Sequence, residues 1–245
     1  MNCENQMLYT IQPRDTLYNI AVRYNTTPEH IMAMNVSINP YNLTIGSQIV
    51  VCPNSMGNNP ESPINISLQE LKLFTEMYVL WEQHVFWTRL LLVSISEGLN
   101  DLDPTQKRLL RNPVDIANIY RRYYGEEVGK KIENLLREHL VIGADIITAL
   151  KNQNSTLAKT LSQKWYQNAD EMAAAFSSIN PFYNEEELRR MLHTHLQLTT
   201  QEVEARFRGD HASEIEIFDM VEKEALRMAR YLVTGIINHV PYMFR

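Results

Sequence analysis

Residues 53–66 read PNSMGNNPESPINI, and this segment constrains the chain more than any other. Three prolines and one glycine fall among asparagines and serines, with almost no apolar periodicity. Proline fixes φ and removes a backbone donor, so neither a helix nor a central strand runs through such a stretch. The chain must fold on either side of it. We therefore expect a small domain at residues 1–53, a linker at 54–66 and a second domain at 67–245.

Hydrophobic residues make up 44% of the chain, enough for a buried core and too many for general disorder. The net charge of −6 argues against a general nucleic-acid binder, which needs a basic face. The longest apolar run, Leu90–Ile95, is far too short to span a bilayer. Residues 1–9 lack the basic start and apolar run of a secretory signal, so the expected site of synthesis is the cytosol. The Asn-X-Ser/Thr sequons at Asn25, Asn35, Asn42, Asn65 and Asn154 are then read as chance.

The first domain reads strand, helix, helix, strand. Met7 to Ile11 is a β-type run, and Pro13-Arg14-Asp15 a turn whose Asp15 or Thr16 can cap a helix. Leu17, Ile20, Ala21 and Tyr24 follow at helical spacing. Thr27-Pro28 opens a second helix with an apolar face of Ile31, Met32 and Met34. Ile45-Gly46 turns into a strand through Val51. Cys3 and Cys52 bracket the two strands, so antiparallel pairing would allow a disulfide, whereas a reducing cytosol would keep the thiols free.

This domain resembles the LysM family of glycan-binding modules. The matching residues are Tyr9 to Leu17, Ile20-Ala21, Tyr24, Asn35, Asn39-Pro40, Leu43 and Ile45 to Ile49. The resemblance implies a β-α-α-β fold and recognition of N-acetylglucosamine polymers of the peptidoglycan or chitin type. It places the sugar between two loops, with Asp15, Thr16 and Leu17 on one side and Ile38, Asn39 and Pro40 on the other. Arg14 stands where the family often has glycine. Asp15 also has a purely structural reading, as a helix cap.

The second domain is patterned for an all-α up-and-down bundle. Apolar residues recur at three- and four-residue steps in long segments opened by Ser67, Glu126, Ser155, Asn184 and Asp210, with short helices at Asp103-Pro104 and Asn112-Pro113. Its stretches at residues 81–89, 135–140, 165–173 and 191–198 resemble a bacterial helical-domain family of no known activity. The apolar stripes carry His139, Asn168, His195 and Glu222, and His84 borders another. Each lies near the middle of its helix, so in a bundle these residues can meet at one height. His84, His139, His195 and Glu222 are then candidate ligands for a first-row metal. A small-ligand pocket and a plain hydrogen-bonded layer remain open alternatives. The spacing is not the Glu-x-x-His of di-iron carboxylate bundles. Arg89 is expected to pair with an acidic neighbour.

No HExxH, nucleophile elbow or Cys/His hydrolase pattern is present, so no wall hydrolase is legible. The leading expectation is a glycan-binding module that fixes a helical bundle to a cell wall or spore envelope. The rival is a metal- or ligand-binding bundle, enzymatic or not, that the module localises.

Overall fold

The structure is a computed structural model that describes residues 6–13, 15–35, 38, 43–53 and 66–244. It contains two compact units, Met1–Asn65 and Ile66–Arg245. All of the expected linker except residue 66 lies outside the described residues.

The first unit runs β1 (Met7–Thr10), α1 (Leu17–Arg23), α2 (Pro28–Met34) and β2 (Gln48–Val51). The strands pair antiparallel, Met7 opposite Val51 and Thr10 opposite Gln48. Thr16 caps α1 by accepting the Asn19 N–H, and Thr27 caps α2 by accepting that of His30. Ile11, Leu17, Ile20, Ile31, Ile49 and Val51 are buried between the sheet and the helices. Two strands cannot bury a core alone, so α2 is tied to β2 by the Asn35 amide. Its Nδ2 donates to the carbonyls of Ile31 and Val50, and its Oδ1 accepts the Val50 N–H. Cys52, just past β2, is disulfide-bonded. Cys3 lies outside the described residues.

The second unit is helical throughout: α3 (Leu68–Glu97), α4 (Leu102–Leu109), α5 (Asn112–Tyr124), α6 (Glu126–Lys151), α7 (Ser155–Ile179), α8 (Glu185–Phe207) and α9 (His211–His239), then a 3-10 turn at Pro241–Phe244. Ser67 and Glu70 form a reciprocal capping box at the start of α3. Asn154, Asn184 and Asp210 cap α7, α8 and α9. Sequential neighbours pack on one another from α5 to α9, α9 returns to α3, and α3 also touches α6. No helix among the described residues is long and apolar enough to cross a membrane.

The stripes that the three- and four-residue spacing predicts, Leu71, Phe74 and Tyr78 at the start of α3 and Ile215, Phe218 and Glu222 on α9, are displaced. At the start of α3, Leu71 is exposed while Leu73 and Met77 are buried. On α9, Ile215 is exposed and Val221 occupies the core, which turns Glu222 partly outward towards Glu82.

At one end of the bundle Arg89 sits between two buried carboxylates. Its Nη1 lies 2.8 Å from Glu202 and its Nη2 3.0 Å from Glu214. Arg206 also meets Glu214, at 3.2 Å. Burial lifts the Glu202 carboxyl from its usual 4.5 to about 7, against the pull of Arg89. Elsewhere Gly235 faces the ring of Tyr183, whose hydroxyl donates to the Leu232 carbonyl. An added Cβ at Gly235 would stand 1.9 Å from a ring carbon.

Two outcomes follow for denaturant unfolding. Gly235→Ala should cost about 1–3 kcal/mol, because the Tyr183 ring is buried and held at its hydroxyl and cannot swing aside. Arg89→Met should cost about 3–5 kcal/mol at pH 8, because two buried carboxylates lose their shared cation. The folded pKa of Glu202 lies above its unfolded value, so the folded state binds more protons between about 4.5 and 7. This favourable contribution is present at low pH and is lost as pH rises through that window. The deficit of Arg89→Met should therefore shrink on going from pH 8 to pH 6; a pH-independent deficit would contradict it.

Candidate functional site

Each unit holds a group of the residues singled out as candidates. In the first, Asp15 does not face outward. Its carboxylate, 5% exposed, accepts the Tyr9 hydroxyl at 2.6 Å and the Gln12 N–H at 2.8 Å, and lies 3.4 Å from Arg23. Burial opposes its ionisation, but these hydrogen bonds and the guanidinium hold it below the usual carboxylate range. Asp15 therefore shapes the loop after β1 from within, and the cap is made by Thr16. Thr16 is exposed, with its hydroxyl accepting the Asn19 N–H. Leu17 is 4% exposed and belongs to the small core. Ile38 is half-buried against that core, and its N–H donates to the Asn35 carbonyl. Asn39, Pro40 and Arg14 lie outside the described residues. Of the expected sugar-facing side chains that are described, Thr16 is thus the exposed one.

In the second unit three of the four candidate ligands meet. His84 on α3, His139 on α6 and His195 on α8 are each nearly fully buried. Each offers a ring nitrogen within 4.8 Å of those of the other two. Glu222 is not in this group, since the residue that faces the core is Val221, one position earlier. Burial pushes His84 down to about 4 and His139 to about 3, and His195 falls well below its usual value. The neighbouring imidazoles add repulsion to His139 and His195. Burial therefore favours the neutral form of all three rings.

The asparagines fix which ring nitrogen carries the proton. Asn112 donates through Nδ2 to the Leu80 carbonyl at 2.8 Å, so its Oδ1 faces the Nδ1 of His84 at 3.2 Å. Asn168 repeats the arrangement with the Leu135 carbonyl and the Nδ1 of His139, at 3.2 and 3.3 Å. An amide oxygen only accepts, so each Nδ1 must carry hydrogen and each Nε2 a lone pair. His195 has no such helper, and its Nδ1 is buried without a partner.

A cavity of about 30 Å3 adjoins the three rings. Thr88, Gly143 and Thr199, each one helical turn after a histidine, line it together with Trp165 and aliphatic side chains. On all three helices the lining residues follow the histidine, so α3, α6 and α8 run in the same direction. The hydroxyls of Thr88 and Thr199 donate to the carbonyls of His84 and His195.

Reading single stripes misses Asn112, whose Asn-Pro context marks a helix start. It also misses a repeat that is present in the sequence. His84-Val85-Phe86-Trp87-Thr88, His139-Leu140-Val141-Ile142-Gly143 and His195-Leu196-Gln197-Leu198-Thr199 share one pattern: histidine, an aliphatic residue, any residue, a large apolar residue, a small residue. Asn112 and Asn168 follow the first two histidines by 28 and 29 residues.

No curated protein and no solved structure matches the chain. The helical unit is identified by no family model. Residues 9–51 match the family model for the LysM domain, so the strand-helix-helix-strand unit is a LysM domain, which implies binding of N-acetylglucosamine glycans.

Proposed function

We propose that the LysM domain holds the helical unit on an N-acetylglucosamine polymer, of the peptidoglycan or chitin type, in a cell wall or spore envelope. The observation that carries this reading is the family match over residues 9–51. The geometry supports it in one respect. The inward Asp15 carboxylate ties Tyr9 and the Gln12 N–H together, with the half-exposed Arg23 beside it, so the neighbouring Thr16 is presented in a fixed place. Acetamido sugars are held by backbone and small polar groups around a shallow apolar seat, and a braced loop lowers the ordering cost of binding. A single module offers a short contact surface, so retention on an insoluble polymer gains from several copies engaging one strand.

The full chain should be retained on purified peptidoglycan or chitin, and the chain lacking residues 1–65 should not. Soluble N-acetylglucosamine oligomers should bind more tightly as they lengthen, until the groove is filled. Equal retention of the shortened chain would move the activity to the helical unit.

Asp15→Ala should weaken oligomer binding while leaving the unfolding of the helical unit unchanged, because the brace is local to the LysM domain. Calorimetric titration of the full chain reads the first effect and its thermal unfolding the second. Full oligomer affinity in this variant would separate the Asp15 brace from binding.

A further inference from the structure

We propose that His84, His139 and His195 form a three-imidazole site for a divalent first-row transition cation, with a fourth coordination position open to the adjoining cavity. The proposal concerns the helical unit and stands independently of glycan binding.

Ligand number and placement come first. Three ring nitrogens already lie within 4.8 Å of one another from three separate helices. A tetrahedral ion with bonds of about 2.0–2.1 Å needs nitrogens roughly 3.4 Å apart, so a contraction of at most about 1.4 Å completes the set. Imidazole nitrogens suit zinc, copper, iron and nickel, and do not suit calcium or magnesium.

The surroundings match what a metal requires of its histidines. A ligating imidazole normally donates its second ring N–H to a fixed acceptor, which sets the tautomer and the ring orientation. Asn112 and Asn168 do this for His84 and His139, and each is itself anchored to a helix carbonyl. Both Nε2 lone pairs are then free of any proton. His195 adds an imidazole whose Nδ1 has no partner, although burying an unsatisfied polar atom is costly. Three neutral rings gathered in an apolar core gain little from one another, whereas a cation would use all three.

The cavity sets what the fourth ligand can be. At about 30 Å3 it admits a water or hydroxide, which needs about 10–15 Å3, and excludes a bulky substrate in this conformation. Thr88, Gly143 and Thr199 create that space by being small one turn beyond each histidine. The threonine hydroxyls donate to backbone carbonyls and so keep acceptor lone pairs for a metal-bound water. Among the described residues no carboxylate joins the three histidines, so the ion keeps its charge and favours an anionic fourth ligand such as hydroxide.

The test uses the full chain without an affinity tag. The protein is unfolded in guanidinium with chelator, refolded with Zn2+ or Co2+, and freed of excess ion. One ion per chain should remain by elemental analysis, the cobalt form should show the ligand-field absorption of a four-coordinate site, and the melting temperature should rise. His84→Gln, His139→Gln and His195→Gln should each reduce retention to background. His193→Gln, at a partly exposed histidine paired with Asp170, should leave it at one. Asn112→Ala and Asn168→Ala should weaken Zn2+ affinity about 10–100-fold. Where a histidine variant fails to refold, 15N imidazole spectra of the unaltered chain decide: Zn2+ should shift the Nε2 signals of His84 and His139. Unchanged spectra, retention that survives loss of all three histidines, or retention lost in His193→Gln would each overturn the proposal.

Discussion

Burying three imidazoles in one apolar layer imposes a demand that much of the helical unit is arranged to meet. Each ring has two nitrogens, and a nitrogen without a partner costs free energy in proportion to its isolation from water. Desolvation keeps all three rings neutral, which removes the larger cost of buried charge. The remaining cost is reduced by two asparagines on α5 and α7, which fixes where those helices stand relative to α3 and α6. Trp165 adds a second tie, its indole N–H donating to the His139 carbonyl while its ring lies 5.1 Å from the imidazole.

The charged residues of the bundle follow a different economy. Arg89 bridges the buried carboxyl groups of Glu202 and Glu214 beyond the histidine layer, and its guanidinium also lies over the Phe218 ring. Such a buried triad stabilises little compared with apolar packing of the same volume, yet it strongly penalises any arrangement that separates its members. It therefore acts on register: α3, α8 and α9 must meet at one relative height for the charges to close.

Much of the architecture was legible in the sequence because helical periodicity and caps are local signals. Ser67, Asn184 and Asp210 announce the starts of three helices, and each proves to be the cap, whereas the segment read as opening at Ser155 is capped by Asn154. The meeting of His84, His139 and His195 was legible from their places on or beside apolar stripes at mid-helix height, a reading that also took in Glu222. What failed was rotation about a helix axis. The stripe of α9 admits either Val221 or Glu222, adjacent residues about 100° apart, and only packing decides between them. The same ambiguity affects the start of α3, where Leu71 and Leu73 compete. In the LysM domain, sequence could mark Asp15 as belonging to the loop but not the inward turn of its carboxylate, which depends on Tyr9 and Arg23 from other elements.

The two histidine–asparagine pairs have a kinetic side. Each spans under thirty residues: one joins α3 to α5 across the short α4, and the other joins α6 to α7, which follows it directly. Contacts so close in sequence carry small loop-closure costs, so both clasps lie within reach of an emerging helical hairpin before the remaining chain is in place. His195 belongs to neither hairpin. It joins the other two rings only when α8 docks, which makes the layer a record of completed assembly: two parts preset locally, the third delivered by the closing of the bundle.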